Sequence, residues 1–140
     1  MVTPYIVLDK ECEEAVNFYE KVLNGKNKKI LRYGKYIPDT KRELPSNLSN
    51  YVLHATMKIF NTEFTFADEF SEQVIIGNNL YLTINPATVK EAKQIHQDLK
   101  ADGKELLVPT ATFYSEFHST VKDKYNILWN IIVISKTEKE

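Results

Sequence analysis

A single cysteine, Cys12, in a chain of 140 residues leaves no partner for an internal disulfide. A packed core must therefore hold the fold. Neither sign of charge is in excess: 18 Lys and Arg stand against 19 Asp and Glu, a formal net charge of −1. That balance offers no electrostatic surplus for a phosphate backbone and argues against nucleic acid as a partner. No apolar run approaches the roughly 20 residues needed to span a bilayer. The start, MVTPYIVLDKE, lacks the basic beginning and apolar stretch of a signal peptide. The expectation is a cytoplasmic protein with no membrane partner. Glycine is scarce, with four in all and none clustered into a phosphate-cradling loop. What remains, 43% hydrophobic and 26% charged residues, reads as one globular domain over residues 1–140.

That domain is internally repeated. Thr3-Pro4-Tyr5-Ile6-Val7-Leu8-Asp9 aligns with Asn79-Leu80-Tyr81-Leu82-Thr83-Ile84-Asn85 at an offset of 76. A helical stripe follows each copy, Ala15, Phe18, Tyr19 and Val22 in the first and Val89, Ala92, Ile95 and Leu99 in the second. Asn24-Gly25 and Asp102-Gly103 are expected to stop these helices with a left-handed glycine, and Thr88 with Glu91 to open the second as a capping box. Later, Leu53-His54-Ala55-Thr56-Met57-Lys58 returns as Phe117-His118-Ser119-Thr120-Val121-Lys122, with His, Thr and Lys identical, at an offset of 64.

Each copy then reads strand, helix and three strands. The third-last of these contains Lys29–Tyr33 or Glu105–Val108, and the last covers Phe64–Ala67 or Ile127–Val133. The predicted fold is α+β: two tandem βαβββ modules, about 1–70 and about 78–135, whose curved mixed sheets surround a cleft. Strand alternation puts Pro4, Ile6, Leu8, Leu53, Ala55, Met57, Leu80, Leu82 and Ile84 against the helices. It leaves Tyr5, Tyr81, Thr83, His54, Thr56, His118 and Thr120 on the cleft side. The tail Ser135–Glu140 reads as a solvated end.

The segments Thr3-Pro4-Tyr5-Ile6-Val7, Glu13-Glu14-Ala15-Val16-Asn17-Phe18-Tyr19, Ile30-Leu31-Arg32-Tyr33-Gly34, His54-Ala55-Thr56 and Asp123-Lys124-Tyr125-Asn126-Ile127-Leu128-Trp129 carry a family likeness. Through them the chain resembles the vicinal-oxygen-chelate superfamily of glyoxalases, extradiol dioxygenases and bleomycin-resistance proteins, most closely its PhnB-like branch. The resemblance implies paired modules, commonly a homodimer, and in catalytic members a divalent metal held by His, Gln or Glu on the outer strands. The corresponding positions are Thr3, Phe66, Asn79 and Asn130. Two amides, a hydroxyl and a phenyl are poor ligands for a transition metal, so no metal and no cofactor are expected there. Some relatives carry a demethylubiquinone methyltransferase label, which four scattered glycines do nothing to support.

The expected site is thus a cleft for a small-molecule ligand, with Tyr5, Tyr81 and Phe66 as aromatic walls and Thr3, Asn79, Asn130, His54 and His118 as polar anchors. The alternative is a metal-dependent lyase or dioxygenase built on His54 and His118. No carboxylate is spaced to orient either imidazole, which favours the reading that the two were duplicated together and merely satisfy backbone or threonine partners. His96 reads as structural or exposed. Cys12, at a helix start, reads as a small tolerated residue, although a helix N-terminus is a place where thiolates are favoured.

Overall fold

The computed structural model describes residues 1–135; the expectation for the rest of the polar tail lies outside the described residues. The chain divides into two compact units, Met1–Ile75 and Ile76–Glu140. In the first, strand β1 (Tyr5–Leu8), helix α1 (Cys12–Val22), and strands β2 (Lys26–Arg32), β3 (Val52–Ile59) and β4 (Thr62–Asp68) form a four-stranded sheet in the order β1-β4-β3-β2. The second repeats it with β5 (Leu82–Ile84), α2 (Val89–Lys100), β6 (Lys104–Thr110), β7 (Ser115–Lys122) and β8 (Leu128–Ile134), ordered β5-β8-β7-β6. In each sheet the first strand runs parallel to the last and the other pairs are antiparallel, so both are mixed. The α+β reading as two βαβββ modules therefore holds.

Each helix buries one stripe against its own sheet: Cys12, Ala15, Val16 and Tyr19 from α1, and Ala92, Ile95, His96 and Leu99 from α2. Trp129 is fully buried, and its indole N–H donates to Asp123 Oδ2 at 2.8 Å. The other oxygen of Asp123 takes the N–H groups of Tyr125 and Ile127 at 2.8 and 3.1 Å, which fixes the β7–β8 turn. A polar side chain here organises the bend and settles the indole N–H together.

Three details depart from expectation. The left-handed residues that end the helices are Asn24 and Asp102, at φ 54° and 58°, not the glycines after them. Gly25 and Gly103 serve close approach instead: a Cβ would collide with Met57 Sδ at the first and with the Lys122 carbonyl oxygen at the second. Leu80 does not meet the helix, because β5 begins only at Leu82 and leaves Leu80 77% exposed. Leu53 is partly buried and packs on a satellite cluster of Tyr33, Leu48 and Phe70, formed where the irregular segments after β2 and β4 fold together.

The pairing register also corrects the repeat alignment. Thr56 pairs with Thr65 as Thr120 pairs with Asn130, and Thr65 pairs with Tyr5 as Asn130 pairs with Thr83. With His54 and His118 equivalent, Tyr5 corresponds to Thr83 and not to Tyr81, and Asn130 corresponds to Thr65 and not to Phe66. The cause is hairpin length. Four residues separate the paired Lys58 and Glu63, whereas five separate the paired Lys122 and Leu128. The tighter first hairpin turns on Phe60 and Asn61, both at positive φ, as a two-residue turn requires.

Candidate ligand-binding faces

A helix covers one face of each sheet, and the other face is built from the alternate side chains of the same strands. In the first unit that open face carries a row from Tyr5 through Thr65 and Thr56 to Lys29. Tyr5 is 61% exposed and His54 is exposed. Among the described residues the His54 ring makes no hydrogen bond, and its paired neighbour on β2 is Leu31. The face is therefore a solvated patch of mixed character, with Lys58 further along β3.

The second unit's open face is more organised. The Thr120 hydroxyl donates to Asn130 Oδ1 at 2.8 Å, and Asn130 Nδ2 donates to Thr83 Oγ1 at 3.4 Å. A hydroxyl–amide–hydroxyl chain thus crosses β7, β8 and β5. Beside it His118 is half-buried and paired with Ile132, and its Nδ1 lies 3.4 Å from the Tyr114 hydroxyl. With both Asn130 groups engaged in one direction, the second amide N–H of Asn130 and the hydroxyl hydrogen of Thr83 are left to donate outward. Chemically this row presents donors to an oxygen or nitrogen acceptor.

The structure brings some of the expected site residues together and separates others. His118 and Asn130 share the second unit's open face. Tyr5 and His54 share the first unit's, with Thr3 exposed just ahead of β1. Asn79 and Tyr81 precede β5 and take no part in its ladder; Tyr81 is 41% exposed. Phe66 is a correction: it is fully buried on the helix side, its ring 5.8 Å from Tyr19 and 6.0 Å from Phe64, because β4 alternation sends Thr65 to the open face in its place. Strand alternation places Thr83 and Thr120 on the second unit's open face, where they flank Asn130. Tyr114 gave no sequence signal, since a turn rather than a strand aims it.

His96 is 2% exposed and structural: Nδ1 lies 2.8 Å from Ser119 Oγ and Nε2 2.5 Å from Glu105 Oε2, tying α2 to β7 and β6. Cys12 is fully buried. Burial first, then the negative charges of Asp68 and Glu13, push its thiol up to about 12, so the helix start does not generate a thiolate. A groove of about 400 Å³ runs between segments 42–45 and 70–72 of the first unit. At its edge Glu69 accepts from Ser71 and Glu72 N–H groups and from both contacts of Arg42, which hold its carboxyl near 2. Arg42 in turn lies 4.8 Å over the Phe70 ring.

The outer-strand positions supply Thr3 and Thr65 in the first unit and Tyr81 or Asn79 with Asn130 in the second, in each case neutral oxygen donors alone. Among the described residues no group of three or more His, Cys, Asp or Glu gathers as a metal would need. That donor set does not fit an iron, nickel, zinc or manganese ion, which needs imidazole or carboxylate to repay its dehydration.

Two βαβββ modules with mixed sheets and one open face each define the glyoxalase/bleomycin resistance/dioxygenase fold class. A glyoxylase/bleomycin resistance protein/dioxygenase domain from Frankia sp. EAN1pec has the same fold with a TM-score of 0.66 at 11% identity, over 96% of this chain and 97% of that one. Within the class the chain belongs to the 3-demethylubiquinone-9 3-methyltransferase family, whose model matches residues 1–132. Protein PA1353 from Pseudomonas aeruginosa is similar at a TM-score of 0.80 and 18% identity, over 96% of this chain and 97% of that one. A putative 3-demethylubiquinone-9 3-methyltransferase, PhnB protein, from Bacillus cereus is similar at 0.70 and 23%, over 94% and 98%. Identities this low carry the fold and not the chemistry. No helix among the described residues is long and apolar enough to cross a membrane.

Proposed function

We propose that this chain is a PhnB-like small-molecule-binding protein that works in the cytoplasm as a homodimer, without the divalent metal of its catalytic relatives. The ligand is held on the open sheet faces, chiefly by His118 and Asn130 with Thr83 and Thr120, and secondarily by Thr3, Tyr5, His54, Asn79 and Tyr81. The single domain 1–140 is the binding unit.

The observation that carries this reading is the directed Thr120–Asn130–Thr83 chain. The Thr120 hydroxyl spends its one hydrogen on Asn130, while Asn130 and Thr83 accept within the chain and keep one amide N–H and one hydroxyl hydrogen for an incoming group. That is the economy of a binding surface, since such groups on a fully solvated face gain little from mutual bonds. Methyl transfer gains no comparable support, for the chain offers no glycine-rich loop to hold a nucleotide-like methyl donor.

Native mass spectrometry of the purified full chain, with elemental analysis of the same sample, tests the reading. The expected result is a dimer carrying a small organic molecule, lost in Asn130→Leu, with no stoichiometric transition metal. A stoichiometric metal released by His54→Ala or His118→Ala would overturn it in favour of metal-dependent chemistry on the histidines.

A further inference from the structure

Phe113 is 87% exposed and Tyr114 is 40% exposed, yet neither is loose. The turn that carries them is closed by Thr112: its N–H donates to the Ser115 carbonyl at 2.8 Å, and its Oγ1 accepts from the Ser115 and Tyr114 N–H groups at 3.0 and 3.3 Å. The Thr112 and Ser115 hydroxyls share a further bond at 2.7 Å, and Ser135 N–H ties down the Tyr114 carbonyl at 3.1 Å. Two large rings are thus presented to solvent on a backbone fixed by five hydrogen bonds. Exposed apolar surface held rigid is costly to keep unless something covers it.

The rings are arranged in series. Phe113 and Tyr114 meet edge to face, centroids 5.2 Å apart at 83°, and Tyr114 meets the His118 ring at 6.4 Å and 61°. The Tyr114 hydroxyl lies 3.4 Å from His118 Nδ1, and in the neutral tautomer with its proton on Nε2 the ring accepts from that hydroxyl and offers Nε2–H as a donor. Thr120 lies on the same face of β7, two residues further on, and leads to the outward N–H of Asn130.

We propose that Phe113, Tyr114 and His118 form an aromatic shelf that receives a planar, acceptor-bearing ring of the ligand, so that the second unit selects heteroaromatic over aliphatic molecules. This rests on the ligand-binding reading above and adds its chemical class. Stacking uses the exposed Phe113 face, with Tyr114 set edge to face behind it, and the in-plane N–H of His118 with the Asn130 amide N–H meets a ring carbonyl or ring nitrogen. Because the turn's backbone is hydrogen-bonded before the ligand arrives, little backbone entropy is lost on binding. An aliphatic lactam satisfies the donors but forfeits the stacking, a difference of about tenfold in affinity for one aromatic contact of roughly 1.4 kcal/mol.

The test titrates the full chain with 2-quinolone and with 2-piperidone, which share a lactam and differ in the fused aromatic ring, following aromatic and amide resonances by NMR. The expected result is ring-current shifts at Phe113 and His118 with 2-quinolone only, and about tenfold tighter binding of that probe. Phe113→Ala, at an exposed position that leaves folding intact, should remove the tenfold preference and leave 2-piperidone unaffected. Tyr114→Phe should retain stacking but change the His118 ring-nitrogen shifts that report its tautomer. Equal binding of the two probes, with shifts confined to Asn130 and Thr83, would overturn the shelf while leaving the ligand-binding face standing. A Phe113→Ala protein that turns monomeric with its 2-quinolone affinity unchanged would overturn it too, by assigning the exposed rings to a second copy of the chain.

Discussion

Asp68 Oδ1 accepts the backbone N–H of Cys12 at 2.9 Å, so the first turn of α1 is capped from the end of β4. The residue at its own N-cap position, Glu11, makes no side-chain cap bond. The second oxygen of Asp68 takes the N–H of Val52 at 2.9 Å, where β3 begins. One carboxylate therefore joins the starts of a helix and a strand that lie 40 residues apart in sequence.

Removing that carboxylate leaves two part-buried N–H groups without acceptors, at about 1–3 kcal/mol for each group left unsatisfied, less where water enters. Asp68→Ala is expected to lower unfolding stability by about 2 kcal/mol in urea titration, with an unchanged m-value, and Asp68→Asn by about half as much. A loss under about 0.5 kcal/mol for Asp68→Ala would mean that water replaces the cap without cost.

The same neighbourhood governs the thiol. Folding raises the Cys12 pKa to about 12 from an ordinary value near 9, so between those limits the unfolded chain releases a proton that the folded one keeps. Stability contributed by the neutral thiol is complete below about pH 9 and falls as pH rises above it. Wild-type stability should decline across pH 9–10.5 more steeply than that of Cys12→Ala. Ellman's reagent at pH 8 should label Cys12 only as fast as the protein opens. Rapid labelling of the native protein would contradict the buried, charge-shielded thiol.

The repeats made the architecture legible because burial patterns and helix stops recur in order, and the histidine echo placed His54 and His118 correctly on equivalent strands. What alignment alone could not supply was the register between strands. One additional hairpin residue in the second unit sets Asn130 opposite Thr120, so its counterpart in the first unit is Thr65, and β4 alternation puts Phe66 in the helix-side core. Sequence spacing searches for an orienting carboxylate, whereas the group beside His118 is a phenol delivered by the Thr112–Ser115 turn. Its strength comes from backbone bonds that no residue pattern displays.

Glu69 anchors the segment after β4 through the N–H groups of Ser71 and Glu72 and the Arg42 guanidinium, and its carboxyl is held at about 2 against an ordinary 4.5. A depressed folded pKa means stabilisation present above about pH 4.5 and lost as pH falls toward 2. Glu69→Gln is expected to cost about 1 kcal/mol at pH 7, the modest figure reflecting a site near solvent. The gap between mutant and wild type should close by pH 2. A pH-independent gap would trace the effect to packing and not to the charge.

The last relationship concerns an edge. Among the described residues strand β6 pairs only with β7, its register is irregular, and Leu106, Leu107 and Val108 are all exposed. Its tie to α2 runs through Glu105, which reaches the buried His96 ring at 2.5 Å, with Lys100 Nζ 3.6 Å from the same oxygen. The hydrogen bond from His96, assisted by the Lys100 charge, lowers the Glu105 pKa, so the tie is complete above the ordinary carboxylate range and weakens as pH falls through the depressed value. Hydrogen exchange should therefore accelerate in β6 before β7 and β8 as the pH is lowered, after correction for intrinsic rates. Glu105→Gln should show that faster β6 exchange already at pH 7 and lose most of its pH dependence. Uniform acceleration across β6, β7 and β8 would show instead that the edge strand opens only with the whole sheet.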